Sequence, residues 1–413
     1  MREEKTLTLT EQTIGALSRA KDPSISTLIL SEGVEVIEAK AFSQCENLKT
    51  ICFPRSLTHI DMKAFEQCPL EDIYYAGTQR QWAEVEISPQ GSDSIIAARK
   101  HFVSGDSAHA LPMEDQKENV FAAIRDLLAQ GGDGRLHIVA PDLCVDGILT
   151  KPGDLTFLIF PQGSTMLIDT GYFKNLPKVM DFLQGCSIRS LDYLVFSHAD
   201  GDHVSNARAI IESITGDWGS SIRHFWWTGQ NFSSYVPDAI TSLHALGTEV
   251  DTEVRAGRCF TIDGVAVEIL GPTEEDMAWD PTDGEVRNSQ SMMMKFTHGE
   301  ATYLTCGDLY AAQEEKVVRR LGNTLKSTIS KTNHHGCFTS NTKVWLDAVD
   351  SRIIFSCSND NGSTALAWEL EARGAAYYST GCQGTLLISA GPDGACEVKT
   401  QYQRGLRCSQ RVN

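Results

Sequence analysis

No stretch of this 413-residue chain approaches the ~20 consecutive apolar residues that a membrane-spanning helix requires, so no helical membrane segment and no membrane partner is expected. The opening residues, Met1-Arg2-Glu3-Glu4-Lys5, run into a mixed polar stretch without the apolar core of an export signal. A cytoplasmic protein is expected. Positive charge is scarce: 36 Lys and Arg stand against 54 Asp and Glu, a formal charge of −18. Such a surface repels nucleic acid unless a local basic groove exists, and no basic stripe is visible outside the tail around Arg404, Arg407 and Arg411. The 12 cysteines lack pairing motifs, and several lie in strand-like runs (Cys52, Cys306, Cys357), so reduced thiols are expected instead of a disulfide framework.

What the chain does contain divides it. Residues 27–49 and 50–71 align with each other at a spacing of 23: Ile37 with Ile60, Ala41-Phe42 with Ala64-Phe65, Cys45 with Cys68. Each copy opens on a short strand-like run and closes in Ala-Phe-x-x-Cys. A unit of this length buries its apolar face only by stacking on a neighbour, which makes it a solenoid repeat. These residues, with Asp72-Ile73-Tyr74-Tyr75-Ala76-Gly77-Thr78 as a terminal variant, resemble the bacterial surface-antigen type of leucine-rich repeat. The resemblance implies a packing or protein-binding module without chemistry. Two copies and a cap are expected within residues 1–105, then a linker and bridging helix over 106–133. The linker composition runs from Ser104 to about Lys117, and helical spacing follows from Glu118 to Ala129.

Chemistry is concentrated in Ser197-His198-Ala199-Asp200-Gly201-Asp202-His203. The preceding run, Leu191 to Phe196, reads as a buried strand, so these metal-binding side chains open at a strand's C-terminal end. Alternation puts His198 and Asp200 on one side of the loop, and Asp202 and His203 turn to a second position. That is a layout for two metal ions, against the plainer alternative of a polar turn. Upstream, Gly153 to Phe160 and Met166 to Gly171 form a hairpin that delivers Asp169. Downstream, Ala301 to Cys306 and Thr328 to Thr332 are strands ending at Asp308 and at His334-His335, and Val204 to Ile214 reads as one helix.

Leu167-Ile168-Asp169-Thr170-Gly171, His198-x-Asp200-x-Asp202-His203, Thr305-Cys306-Gly307-Asp308 and Asn333-His334-His335-Gly336 stand in the order found in the metallo-β-lactamase superfamily. The chain resembles in particular the hydrolase domain of DNA-uptake (competence) channel proteins and their soluble relatives. The resemblance implies an α/β fold, an αββα sandwich of two mixed sheets over residues 134–413 with a dinuclear site along one edge. It implies His198 and Asp200 on a first ion, Asp202, His203 and His335 on a second, and Asp308 bridging both, with Asp169 behind them orienting a ligand. His334 is then either a supporting group or a proton donor.

The departures are Asp200 where fuller ligand sets carry His, and Asn288-Ser289 in place of a further His. Gly362, Ser363 and Thr364 stand where channel relatives carry a His-Pro pair. Two divalent ions, Zn²⁺ or Mn²⁺, would bridge a hydroxide for in-line attack, with Asp202 and His334 as catalytic groups. Lys331 either meets a phosphate or is a solvated strand-end charge. The aromatics Phe225-Trp226-Trp227, Tyr235, Phe260 and Trp279 line a substrate groove or fill a core. A phosphodiesterase or nuclease is the first expectation. A hydrolase of a small phosphorylated metabolite or other ester follows, and a binding or scaffold protein with a vestigial metal site is the third.

Overall fold

The computed structural model describes residues 5–402 except 10, 11, 17, 32, 78, 103–116, 145–152, 234, 338 and 359–363. The linker before Lys117, the residues 361–363 beside the missing His-Pro pair and the arginines of the tail lie outside the described residues. The described residues fall into two compact units, one over 5–102 with 364–369 and the other over 117–358 with 370–402.

In the first unit the coils build two parallel sheets, of five strands and of four. One sheet runs Lys5–Leu9, Ile25–Leu30, Thr50–Phe53, Asp72–Tyr75 and Arg99–Phe102; the other pairs Thr13–Ile14, Val36–Ile37, His59–Ile60 and Glu86–Ile87. The register Val36↔His59 and Ile37↔Ile60 is the 23-residue repeat made physical. Among the described residues the longer sheet stacks five strands, where the sequence suggested two copies and a cap. The outer coils keep the strand but not the signature: Ser18-Arg19 stands 23 residues before Ala41-Phe42. The last coil is stretched by the helix Gln79–Glu84, so that Asp72 pairs with Arg99. Successive coils stack like on like. Phe42 lies parallel to Phe65 at 5.3 Å, Phe53 meets Phe65 edge-on at 5.8 Å, and the Cys68 thiol donates to the Phe42 carbonyl.

The second unit holds two mixed sheets. From edge to edge the first runs Glu249–Asp251, Ile222–Trp226, Leu191–Val195, Thr165–Ile168, Thr156–Ile159, Leu136–Ala140, Leu386–Ala390 and Cys396–Thr400. The second runs Cys259–Ile262, Val265–Gly271, Met293–His298, Ala301–Thr305, Ile329–Lys331, Ile353–Ser356 and Ala376–Ser379. Period-2 alternation sorts the side chains of the first sheet. Ile138, Leu158, Met166 and Ile168 face a core shared with Val267, Met294, Phe296, Tyr303 and Phe355 of the second sheet. Val139, Phe157, Ile159 and Leu167 face the opposite way, onto the helices Lys117–Gln130, Leu176–Gly185 and Tyr235–Ala245. Trp226 stacks on Phe260 at 4.2 Å, so these two aromatics belong to the core, whereas Tyr235 and Trp279 are exposed.

The helix expected over 204–214 is broken into Gly201–Val204 and Ala207–Glu212, followed by a π-helical turn over Ser213–Asp217. Asn206 interrupts it because its side-chain amide donates to the Thr170 and Tyr172 carbonyls, tying this segment to the loop after Asp169.

Phe65 is fully buried between two rings, so Phe65→Ala should destabilise the repeat unit by roughly 3–5 kcal/mol. Denaturant titration followed by circular dichroism should show an early transition absent from the unmutated chain.

Candidate metal centre

The candidate site residues come from the same edge of the sandwich. Asp169 follows the strand Thr165–Ile168, His198 follows Leu191–Val195, Asp308 follows Ala301–Thr305, and His334-His335 follow Ile329–Lys331. Asp154 reaches that edge from the other direction. It precedes the strand Thr156–Ile159, which runs antiparallel to Thr165–Ile168 with Thr156 opposite Ile168.

At the centre lies the buried Asp308. Its Oδ2 is 3.3 Å from both His203 Nε2 and His335 Nε2, and 3.8 Å from His334 Nε2. Asp202 Oδ2 is 3.2 Å from His335 Nε2. Asp154, His203, Asp308 and His335 offer ligand atoms all within 4.8 Å of one another. The far side of each ring is fixed. His203 Nδ1 meets Asp169 Oδ2 at 2.7 Å, and His335 Nδ1 meets the Cys357 carbonyl at 3.0 Å, which turns each Nε2 towards Asp308. Asp169 is held in turn by the Ser197 amide at 2.7 Å and the Ser197 hydroxyl at 2.6 Å.

The backbone bends to make this convergence. Asp169, His334 and His335 adopt φ of 63°, 46° and 55°, left-handed conformations that each cost roughly 1–3 kcal/mol in a non-glycine residue. Gly153, at φ 81°, sits so close to the chain that an added Cβ would lie 2.4 Å from the Tyr172 amide and 2.6 Å from the Asp202 carbonyl. Glu314, buried on the helix Ala311–Leu321, clamps the loop carrying the two histidines. It accepts from Asn333 Nδ2 at 2.7 Å and from the amides of Asn341 and Thr342 at 2.6 and 2.8 Å.

The site is strongly negative. Asp154, Asp169, Asp200, Asp202 and Asp308 face two permanent cations, Lys331 and Arg287, leaving three charges to be met by protons or by bound ions. Burial works against ionisation of Asp308, yet the imidazoles of His335 and His203 hold it well below the usual carboxylate range. Burial likewise opposes charge on His335, but Asp308 and Asp202 raise it to about 9; on His203 burial is also outweighed, and Asp308 and Asp169 hold it well above the usual imidazole range. His198 is pushed the other way, to about 3, by burial and by the neighbouring His203, so its ring is neutral. Among the described residues, His198 Nε2, His203 Nε2 and Asp308 Oδ1 are buried and find no hydrogen-bond partner. Unpartnered imidazole and carboxylate atoms, in a pocket short of positive charge, fit a divalent cation.

The structure brings together Asp202, His203, Asp308, His335 and, behind them, Asp169. His198 lies beside them, its ring 4.0 Å from that of His203. His334 has its Nδ1 held by the Thr339 hydroxyl at 2.6 Å. Asp200 is turned away: the Arg287 guanidinium takes its Oδ1, and its Oδ2 is 4.0 Å from His198 Nε2. Asn288 is buried on the helix Gly284–Ser289, and its carbonyl accepts from the Ser291 hydroxyl, which accepts from the Asp308 amide. Lys331 is neither solvated nor free to meet a phosphate. It is buried and ion-paired with Asp154, because a strand running into the sandwich offers its charge no other outlet.

Asp154, Arg287 and Glu314 are the residues that sequence reasoning missed. A signal existed for the first: Asp154 and Lys331 are lone charges beside or within apolar strand runs, and two such charges of opposite sign invite pairing.

Residues 153–353 match the family model described as metallo-beta-lactamase superfamily, and residues 12–83 match the BspA type leucine rich repeat region in 6 copies. Competence protein ComA of Neisseria gonorrhoeae is 25% identical over 252 residues, covering 60% of this chain and 31% of that protein. ComE operon protein 3 of Bacillus subtilis (strain 168) is 24% identical over 237 residues, covering 52% of this chain and 28% of that protein. The chain thus spans under a third of the length of either relative. Among solved structures, the metallo-beta-lactamase fold protein YhfI from Bacillus subtilis superposes with a TM-score of 0.41 at 10% identity, over 62% of this chain and 100% of that one.

Asp169→Ala should lower divalent-ion affinity about 10–100-fold, the usual effect of removing the group that orients a ligating histidine, as read by calorimetric titration. Glu314→Ala strands buried donors and should cost at least ~2 kcal/mol of stability in denaturant melts.

Proposed function

Taking as premise a metallo-beta-lactamase superfamily domain joined in one chain to BspA-type repeats, we propose that the second unit is a metal-dependent hydrolase of phosphodiester bonds. The observation that carries this reading is the convergence of His203 Nε2 and His335 Nε2 on Asp308 Oδ2 at 3.3 Å, with His203 Nε2 and Asp308 Oδ1 buried and without a hydrogen-bond partner among the described residues. Mixed imidazole and carboxylate donors suit Zn²⁺ or Mn²⁺, and His203, His335, Asp308 and Asp202 are the residues that would hold the ion. Once bound, a divalent ion supplies Lewis acidity towards a phosphoryl oxygen and a water acidic enough to attack near neutral pH.

The chain's own groups do the rest. Asp169 and the Cys357 carbonyl hold the His203 and His335 rings in the tautomer that keeps Nε2 available. Asp202, its side chain 18% exposed, faces the mouth and takes the proton of the attacking water. His334 Nε2, on a ring steadied by Thr339, delivers a proton to the departing oxygen. Burial of Asp308 and both neighbouring rings keeps bulk water from weakening these interactions. The relatives named for competence favour nucleic acid among phosphodiesters, whereas the net charge of −18 favours a small phosphoester as the second reading. The repeats are assigned to binding a protein partner.

The test is a screen with Mn²⁺ and with Zn²⁺ on bis(p-nitrophenyl) phosphate, single-stranded DNA, RNA and cyclic dinucleotides. Cleavage should fall by about 10²-fold or more in Asp202→Ala. An ion-loaded chain that cleaves none of these substrates sinks the proposal, and steep salt dependence would select the polymer over the small substrate.

A further inference from the structure

The two halves of the ligand set expected for two ions are not equivalent in the fold. Asp308 Oδ2 lies 3.3 Å from both His203 Nε2 and His335 Nε2, and Asp202 Oδ2 lies 3.2 Å from His335 Nε2, whereas His198 Nε2 and Asp200 Oδ2 stand 4.0 Å apart. Among the described residues, the one set of three or more ligand-type side chains that converges is Asp154, His203, Asp308 and His335; Asp202 joins it only through His335, and His198 and Asp200 are outside it. Asp200 is instead committed to Arg287, and that arginine is built in from several directions. Its Nη1 donates to the Pro281 carbonyl at 2.9 Å, and its guanidinium lies 4.0 Å from the Phe232 ring. Its own carbonyl accepts from Gln230 Nε2 at 2.8 Å, while Gln230 Oε1 accepts from the amide of Ala199, between His198 and Asp200. Arg287 is 15% exposed and Asp200 is 23% exposed, so the pair stands at the mouth and not in the interior.

We infer that this chain carries one divalent ion, in the pocket of His203, Asp308, His335 and Asp202, and that Arg287 supplies the second positive charge of the site. A guanidinium bonded to Asp200 repels a dication at that carboxylate and offers a phosphoryl oxygen the donors that a second ion would otherwise provide. Asp200 is then the anchor of the arginine, and Phe232 keeps the guanidinium plane facing the substrate. The ion count stands by itself; only the role towards a phosphoryl oxygen rests on the proposed hydrolase activity.

The experiment measures ions per chain on the full protein, loaded with Mn²⁺ and desalted, by elemental analysis and by the manganese EPR signal. The unmutated chain, Asp200→Ala, Arg287→Met, Arg287→Lys and Asp308→Ala are compared. One ion per chain is expected in the first two and close to none in Asp308→Ala. Two ions in the unmutated chain, a spin-coupled manganese pair, or loss of an ion in Asp200→Ala overturns the inference. With bis(p-nitrophenyl) phosphate, Arg287→Met should raise KM at least tenfold with the ion retained, and Arg287→Lys should recover part of it. An unchanged KM removes the arginine from substrate binding. A chain that binds one ion and hydrolyses nothing would refute the hydrolase reading and leave the ion count standing.

Discussion

The whole second unit is answerable to one contact, the buried Asp308 carboxylate held between the imidazoles of His203 and His335. Asp308 and His335 come from the second sheet and His203 from the first, so the contact exists only if both sheets end in register at one edge. The apolar core shared by Ile138, Leu158, Met166, Val267, Phe296 and Tyr303 sets that register. Concentrating carboxylates in a desolvated pocket is unfavourable, and the left-handed backbone at Asp169, His334 and His335 adds to the cost. A well-packed sandwich supplies the stability against which these local costs are set, and it is rigid enough to hold the atoms where they are.

Around that contact, a set of supporting groups holds the candidate ligands in place. Ser197 holds Asp169, which holds His203; Glu314 holds Asn333 and the amides of Asn341 and Thr342; Lys331 neutralises Asp154. Each places a full or partial charge beside another in a region from which water is excluded, where such interactions are stronger than at the surface. The chemistry of the centre therefore depends on residues well outside any motif.

Much of this was legible in the sequence because it is local. The strand before each ligand loop, the hairpin leading to Asp169 and the 23-residue period each lie within a short window, and pattern reasoning reads short windows well. What escaped is what joins distant segments. Arg287 reads as an ordinary charge on a short helix until the fold sets it against Asp200, and Glu314 as a solvated helix residue until a loop closes over it. Asp154 and Lys331 are separated by most of the unit in sequence and by one ion pair in space. The outer coils escaped for a different reason. A strand needs only a few suitable residues to pair, so the coil persists after its Ala-Phe signature has gone.

The first sheet has Leu136–Ala140 paired antiparallel to Leu386–Ala390, with His137 Nδ1 2.8 Å from the Ser389 hydroxyl. The opening strand of the unit therefore waits for almost the last one to leave the ribosome. Until then, Leu136–Ala140 has one neighbour and an unsatisfied edge, and every residue between must be synthesised before the loop can close. Completion of this sheet thus follows synthesis of Leu386–Ala390, whereas each coil of the N-terminal stack can settle on the previous one as it emerges.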